Sequence, residues 1–216
     1  MKRIFVLISV VFLLISSVIF ANGRELLQNF LGRNAKINSF QAAFTQKNYW
    51  KQQDIVNTSS GVLYTEGENI LLEHKDPEHQ YMVGTEDELV FYFPERKKLI
   101  GSDASYWQFF LSPQFLSKEY INFCEYQNYR LNENSTTFIL KAKKAIDDLN
   151  QIQITFSNQD SLIERFFYED KYNNEVLFTF SNQIVNEDIP DSTFHLEIPQ
   201  DVEVIDQRKE IQRGSQ

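Results

Sequence analysis

A mainly β fold, built as a meandering antiparallel sheet, follows from three features of this sequence. Short runs of strand character recur along most of the chain, separated by hairpin-sized polar links. No strand–helix–strand alternation occurs, which argues against a parallel α/β fold. The composition holds 19 Phe, 10 Tyr and 2 Trp against 7 Gly and 5 Pro. That is enough apolar volume to fill a large interior, and it is unlike a disordered chain.

The first element is a targeting segment. Lys2 and Arg3 precede an apolar run from Ile4 to Phe20, with Ala21 before the polar Asn22-Gly23-Arg24. A basic end, an apolar stretch and a small residue before a polar break predict a secretory signal peptide, residues 1–21, cut after Ala21. The rival reading is an uncleaved anchor, because the apolar run is close to the lower limit for a membrane span. The single cysteine, Cys124, is far from the junction. A lipid-anchored bacterial precursor needs a cysteine there, so the expectation is a soluble exported protein. Residues 22–216 then form one domain, a length that suits a single core.

Next comes a short amphipathic helix. Leu26, Leu27, Phe30 and Leu31 recur at helical spacing, and Gly32 is a natural stop. From Phe40 the period becomes two. Strands are expected around Phe40–Thr45, Val62–Thr65, Ile70–His74, Gln80–Val83, Leu89–Phe93, Tyr129–Leu131, Thr136–Lys141, Ile152–Phe156, Ile163–Tyr168, Val176–Phe180 and Phe194–Ile198. Turn residues separate them, as in Glu66-Gly67-Glu68-Asn69 and Lys75-Asp76-Pro77-Glu78. Alternation places Phe40, Ala42 and Phe44 on one face, together with Ile70 and Leu72, Leu89, Phe91 and Phe93, Phe138 and Leu140, Ile154 and Phe156, and Phe178 and Phe180. A one-residue slip in any strand would invert that assignment for the strand.

One segment breaks the β pattern. Ser105–Leu116 carries seven large apolar side chains in twelve residues, with Tyr106, Phe109 and Phe110 on one helical face, Trp107 and Leu111 beside it, and Pro113 as a break. Such density needs cover. The segment is either a helix capping the sheet as core or a movable lid over an apolar cavity.

The search for chemistry is mostly negative. The sequence has no nucleophile elbow, zinc-protease motif, phosphate loop or dinucleotide fingerprint. His74 and His79 flank the Asp76-Pro77 turn without an evident third ligand, so a metal pair is disfavoured. The acidic pairs Glu86/Asp87 and Asp147/Asp148 sit in polar company and read as solvated hairpin ends. Asn57-Thr58-Ser59 and Asn134-Ser135-Thr136 match a glycosylation pattern too short to carry weight. Cys124 reads as a packed residue rather than a reactive thiol, since no basic cluster adjoins it. The formal net charge is −9, and −11 once Lys2 and Arg3 are removed. An acidic surface repels phosphates and anionic headgroups, so nucleic acid is not an expected partner. Abundant aromatics beside absent polar chemistry point toward apolar binding, with no catalysis, cofactor or metal.

Particular residues narrow this further. Ile37-Asn38-Ser39-Phe40-Gln41-Ala42-Ala43-Phe44-Thr45-Gln46 resembles the opening motif of the outer-membrane lipoprotein carrier family, LolA. Gly61-Val62-Leu63-Tyr64, Asn69-Ile70-Leu71-Leu72, Asp76-Pro77-Glu78 and Leu89-Val90-Phe91-Tyr92-Phe93-Pro94 continue the likeness in order. Asn186–Phe194 and Ile198–Asp206 extend it toward the C-terminus. The resemblance implies an unclosed antiparallel β-barrel, a half-barrel, with a helical lid over an apolar cavity. It implies a monomeric periplasmic carrier that takes lipoprotein acyl chains from an inner-membrane ABC transporter to an outer-membrane acceptor. The lipid-binding residues expected on this basis are Phe40, Phe44, Tyr64, Ile70, Leu72, Phe91, Phe93, Phe138, Leu140, Ile154, Phe156, Phe178 and Phe180, with Tyr106, Trp107, Phe109 and Phe110 from the lid. One departure stands out: the position of the family's lid-tethering arginine is Gly67 here, so the latch itself is not carried over. The competing readings are a lipid- or lipoprotein-sensing module on the same sheet, and a secreted hydrolase that lacks any nucleophile arrangement.

Overall fold

The computed structural model describes residues 23–85, 88–103, 124–143 and 149–207. The signal peptide, the pairs Glu86/Asp87 and Asp147/Asp148, and the Ser105–Leu116 segment lie outside the described residues. Helix α1 spans residues 23–34. Twelve strands follow: β1 (Ser39–Trp50), β2 (Ile55–Glu66), β3 (Asn69–Asp76), β4 (Gln80–Gly84), β5 (Glu88–Phe93), β6 (Lys98–Asp103), β7 (Cys124–Leu131), β8 (Ser135–Ala142), β9 (Leu149–Ser157), β10 (Ile163–Asp170), β11 (Glu175–Val185) and β12 (Glu203–Asp206).

They form one sheet in the order β12-β6-β5-β4-β3-β2-β1-β11-β10-β9-β8-β7. Two antiparallel meanders, β1 to β6 and β7 to β11, join where β1 pairs with β11. The outermost strands β12 and β7 do not pair with each other, so the barrel is unclosed. Register shifts in β1 between Gln41 and Ala43, and in β7 between Tyr126 and Asn128, mark bulges. Such bulges bend and twist a ladder, and bending lets one long sheet wrap its own interior.

Alternation holds across the sheet. Phe40, Ala42 and Phe44 of β1 face inward, paired with Thr65, Leu63 and Gly61 of β2. Leu63 in turn pairs with Leu72, Leu72 with Met82 and Met82 with Phe91. On the other side Phe178 pairs with Phe166, Phe166 with Ile154 and Ile154 with Phe138. These side chains, with Leu27, Phe30 and Leu31 of α1, make the main core cluster. Phe30 lies over Phe156 at 5.1 Å between ring centroids and meets Phe138 edge-on at 5.6 Å. The helix therefore covers the inner face at the β8–β9 end.

Two expectations need correction. Gly32 does not end α1, which continues to residue 34. Asn34 is buried, and its side-chain amide donates to the Phe30 carbonyl at 2.9 Å and to the Ser161 carbonyl at 2.8 Å. A tertiary tie to the β9–β10 turn thus fixes the end, and Gly32 remains exposed. Phe194–Ile198 is not a strand. Asp191–Phe194 is a 3₁₀ turn after Pro190, and Phe194 packs with Leu71 and Ile189 on the outer face. Pro190 and Pro199 lack the N–H groups a ladder needs. Two strands, β6 and β12, escaped the sequence reading. Lys98-Leu99-Ile100-Gly101-Ser102-Asp103 has no alternation, and β12 is four residues held in parallel register against β6. The outer face is otherwise strapped by the segment after β11: the Ser39 hydroxyl donates to the Glu187 carbonyl, and the Asn38 N–H donates to Asn186 Oδ1 at 2.7 Å.

Candidate functional site

The inner face is the one extended apolar surface that the topology gathers from every part of the described chain. Phe40, Phe44, Ile70, Leu72, Phe138, Leu140, Ile154, Phe156, Phe178 and Phe180 all belong to its core cluster and are buried. Phe91 packs against the cluster while half-buried, and Phe93 is half-buried at the strand's end. Phenylalanine rings recur along and across strands: within β11 Phe178 stacks near Phe180 at 6.2 Å, and between β1 and β11 Phe44 lies 5.8 Å from Phe178 and Phe40 meets Phe180 edge-on at 6.2 Å. Cross-strand aromatics at this spacing bury area and add directional contacts.

Tyr64 is the exception. It pairs with Leu71, one residue out of phase with Leu63, and packs with Leu71, Ile189 and Phe194 on the outer face. A strand's side chains alternate strictly, so a residue adjacent to inward-facing Leu63 must point out. Tyr106, Trp107, Phe109 and Phe110 lie outside the described residues.

The sequence reading missed several inner-face members. Leu63, Met82, Ile152, Phe166 and Val176 are buried in the same cluster. Parity could have found Ile152 and Val176, which sit two residues from Ile154 and Phe178, whereas placing Tyr64 in the wall hid Leu63. Phe166 stands in the run Phe166-Phe167-Tyr168, where apolar residues on both parities hide the phase. Tyr168, also packed against the cluster, has its hydroxyl pushed well above the usual tyrosine range, by burial first and by Asp170 second.

Polar groups are sparse here. His74 pairs with Gly61 in register, so it shares the inner face with Leu72. It is 7% exposed, and burial lowers its pKa to about 4. His79 is on the other side, with Nε2 2.9 Å from Glu73 Oε1. The two histidines therefore cannot share a ligand, and no group of three metal-capable side chains converges among the described residues. Cys124 is buried, and desolvation pushes its thiol up to about 12, with Lys143 opposing weakly. Such a thiol stays protonated and unreactive, as a packed residue should.

Gly67, where the resemblance calls for an arginine, begins the two-residue loop of the β2–β3 hairpin with φ of +58°. Two-residue hairpin loops require a positive φ, which glycine adopts without strain. The position is exposed, and a Cβ built there meets nothing within 4 Å. It serves the turn and presents no side chain to any lid.

A family model described as outer membrane lipoprotein carrier protein LolA matches residues 35–197. The chain belongs to the LolA family. The matched span runs from β1 through β11 and so takes in the strands that build the inner face. An outer-membrane lipoprotein carrier protein of Histophilus somni (strain 2336) is 26% identical over 211 residues, covering 97% of this chain and 100% of that protein. One from Pseudoalteromonas translucida (strain TAC 125) is 23% identical, covering 96% and 98%. Among solved structures, an uncharacterized conserved protein from Thermus thermophilus superposes with a TM-score of 0.54 at 14% identity, over 84% of this chain and 99% of that one. That likeness speaks for the fold alone.

Proposed function

We propose that this protein is a periplasmic, non-enzymatic carrier that holds lipoprotein acyl chains against its inner face and shuttles them from the inner to the outer membrane. The observation that carries this is the open sheet whose inner face is lined, strand after strand, by buried aromatic and aliphatic side chains. Family membership supports the choice of cargo, since relatives of nearly equal length are named lipoprotein carriers.

The energetics suit a shuttle. Burying one methylene is worth about 0.8 kcal/mol, so a chain of about fifteen methylenes could bring roughly 12 kcal/mol before costs. A closed barrel would retain several such chains too tightly to deliver them. An unclosed sheet can admit chains at its open side and release them there. In this reading Ser105–Leu116 supplies the lid, the signal peptide delivers the protein to the periplasm, and an inner-membrane ABC transporter and an outer-membrane acceptor are its partners. Gly67 leaves lid closure to apolar packing instead of an arginine latch.

The test is purification from its native compartment followed by lipid mass spectrometry, with a transfer assay using lipoprotein-loaded inner-membrane vesicles. Recovery of acylated polypeptides and their soluble release by the protein is expected. A protein that carries no acyl chain and extracts no lipoprotein from the vesicles would overturn the reading.

A further inference from the structure

Across the middle of the inner face, the polar pair His74 and Gln46 interrupts the apolar wall. His74 on β3 and Phe44 on β1 stand on either side of Gly61 on β2, which pairs with both. A Cβ on Gly61 would lie 1.8 Å from the Glu73 carbonyl oxygen, so this position has no side chain and the two flanking rings meet across it. Their centroids are 5.0 Å apart with planes at 83°. Gln46, on the same face of β1, reaches over: its Oε1 lies 2.9 Å from His74 Nε2.

The hydrogen-bond pattern fixes the imidazole's state. The Gln46 amide nitrogen donates to Asn48 Oδ1 at 2.9 Å, which leaves the amide oxygen to face His74. An amide oxygen only accepts, so Nε2 carries the hydrogen and donates. In the neutral ring Nδ1 is then a bare acceptor. It is buried, and it has no hydrogen-bond partner among the described residues. A buried acceptor without a donor is costly, and an apolar ring at this position would avoid that cost.

We propose that His74 Nδ1 is a recognition point for the head of the cargo, accepting a hydrogen bond from the N–H of an amide-linked acyl chain. This rests on the carrier reading of the inner face. A hydrocarbon tail offers no donor and neither does an ester; an acyl amide offers one, directly beside its carbonyl. The pair thus sets the depth and orientation at which an acyl chain sits, and favours amide-linked over ester-linked chains. Gln46 is a positioning residue: it fixes the tautomer that leaves Nδ1 free to accept.

The probes are N-lauroylglycine and its ester analogue lauroyl glycolate, which differ by one N–H. Titration against the full mature protein should show the amide bound about five- to tenfold more tightly, the effect of one hydrogen bond made to an otherwise unsatisfied group. His74→Phe, which keeps an aromatic ring but removes the acceptor, should bind both probes within about twofold of each other. Equal binding of the two by the wild-type protein overturns the recognition point and leaves the carrier reading standing. A preference that survives in His74→Phe overturns it as well. Binding of neither probe overturns the carrier reading and this inference together. Should His74→Phe not fold, the ¹⁵N resonance of His74 Nδ1 in the wild-type protein decides: a shift on adding the amide but not the ester supports the contact, and an unmoved resonance with both refutes it.

Discussion

Replacing Phe30 by alanine tests how firmly α1 closes the inner face. Phe30 is buried and is held by two rings, Phe156 stacked at 5.1 Å and Phe138 edge-on at 5.6 Å. Removing a buried phenylalanine forfeits its transfer energy and leaves a cavity that the rigid sheet below cannot fill, a loss of about 3–5 kcal/mol. For a chain of this size each kcal/mol lowers the melting temperature by roughly 2–4 °C, so a fall of roughly 6–20 °C is expected. Urea unfolding followed by circular dichroism gives the free energy directly. A double-mutant cycle with Phe156→Ala separates ring–ring contact from simple burial. Coupling of about 0.5–1.5 kcal/mol is expected, because the two rings touch and lose the same contact in either single variant. A loss under about 1 kcal/mol, or two strictly additive mutations, would show that the helix does not rest on this face, and the account of a covered inner wall would fail.

Four further residues carry expected outcomes. His74 has its folded pKa near 4, below the ordinary histidine value of 6.5, because burial disfavours the charged ring. Its inner-face neighbours Gln46 and Phe44 carry no charge, and Glu73 and Lys75 alternate to the outer face, so no charged group among the described residues compensates. The unfolded chain binds the proton more readily, so this contribution is complete above pH 6.5 and is lost as pH falls toward 4, to the extent of about 3 kcal/mol. Urea midpoints at pH 7 and pH 4 measure it; His74→Phe should flatten that part of the slope, and an unchanged slope would contradict the assignment. Gly61→Ala should destabilise by more than about 2 kcal/mol, since its Cβ would strike the backbone of β3. Gly67→Ala should cost only about 1 kcal/mol for its left-handed φ, so equal losses in the two variants would refute the steric argument. Cys124 should resist alkylation at about pH 8 until the protein unfolds, because its thiol is buried and stays protonated; rapid labelling of the native state would contradict this.

Local pattern was enough to read the antiparallel class, ten of the strand cores and the phase of most of them, because a period of two is written wherever one face is apolar and the other polar. Phe40, Ala42 and Phe44 announce their side without help from any neighbour. The family was legible too, in short motifs that keep their order along the chain. What the sequence could not settle depended on partners distant along it. Tyr64 looks like another aromatic of the wall, yet the hydrophobic patch formed by Leu71, Ile189 and Phe194 gives it a second apolar place to go. The end of α1 is set by Asn34 reaching Ser161, not by Gly32. Strand β12 exists because β6 offers an edge to pair with. Most of all, His74 read as one of two histidines flanking the Asp76-Pro77 turn, with no role of its own. Only the closing of β1 and β3 around a side-chain-free Gly61 brings Gln46 to one nitrogen and leaves the other buried without a donor. A sequence records each residue's preference for water or oil, whereas hydrogen-bond satisfaction is a property of the assembled neighbours, and those are chosen by the fold.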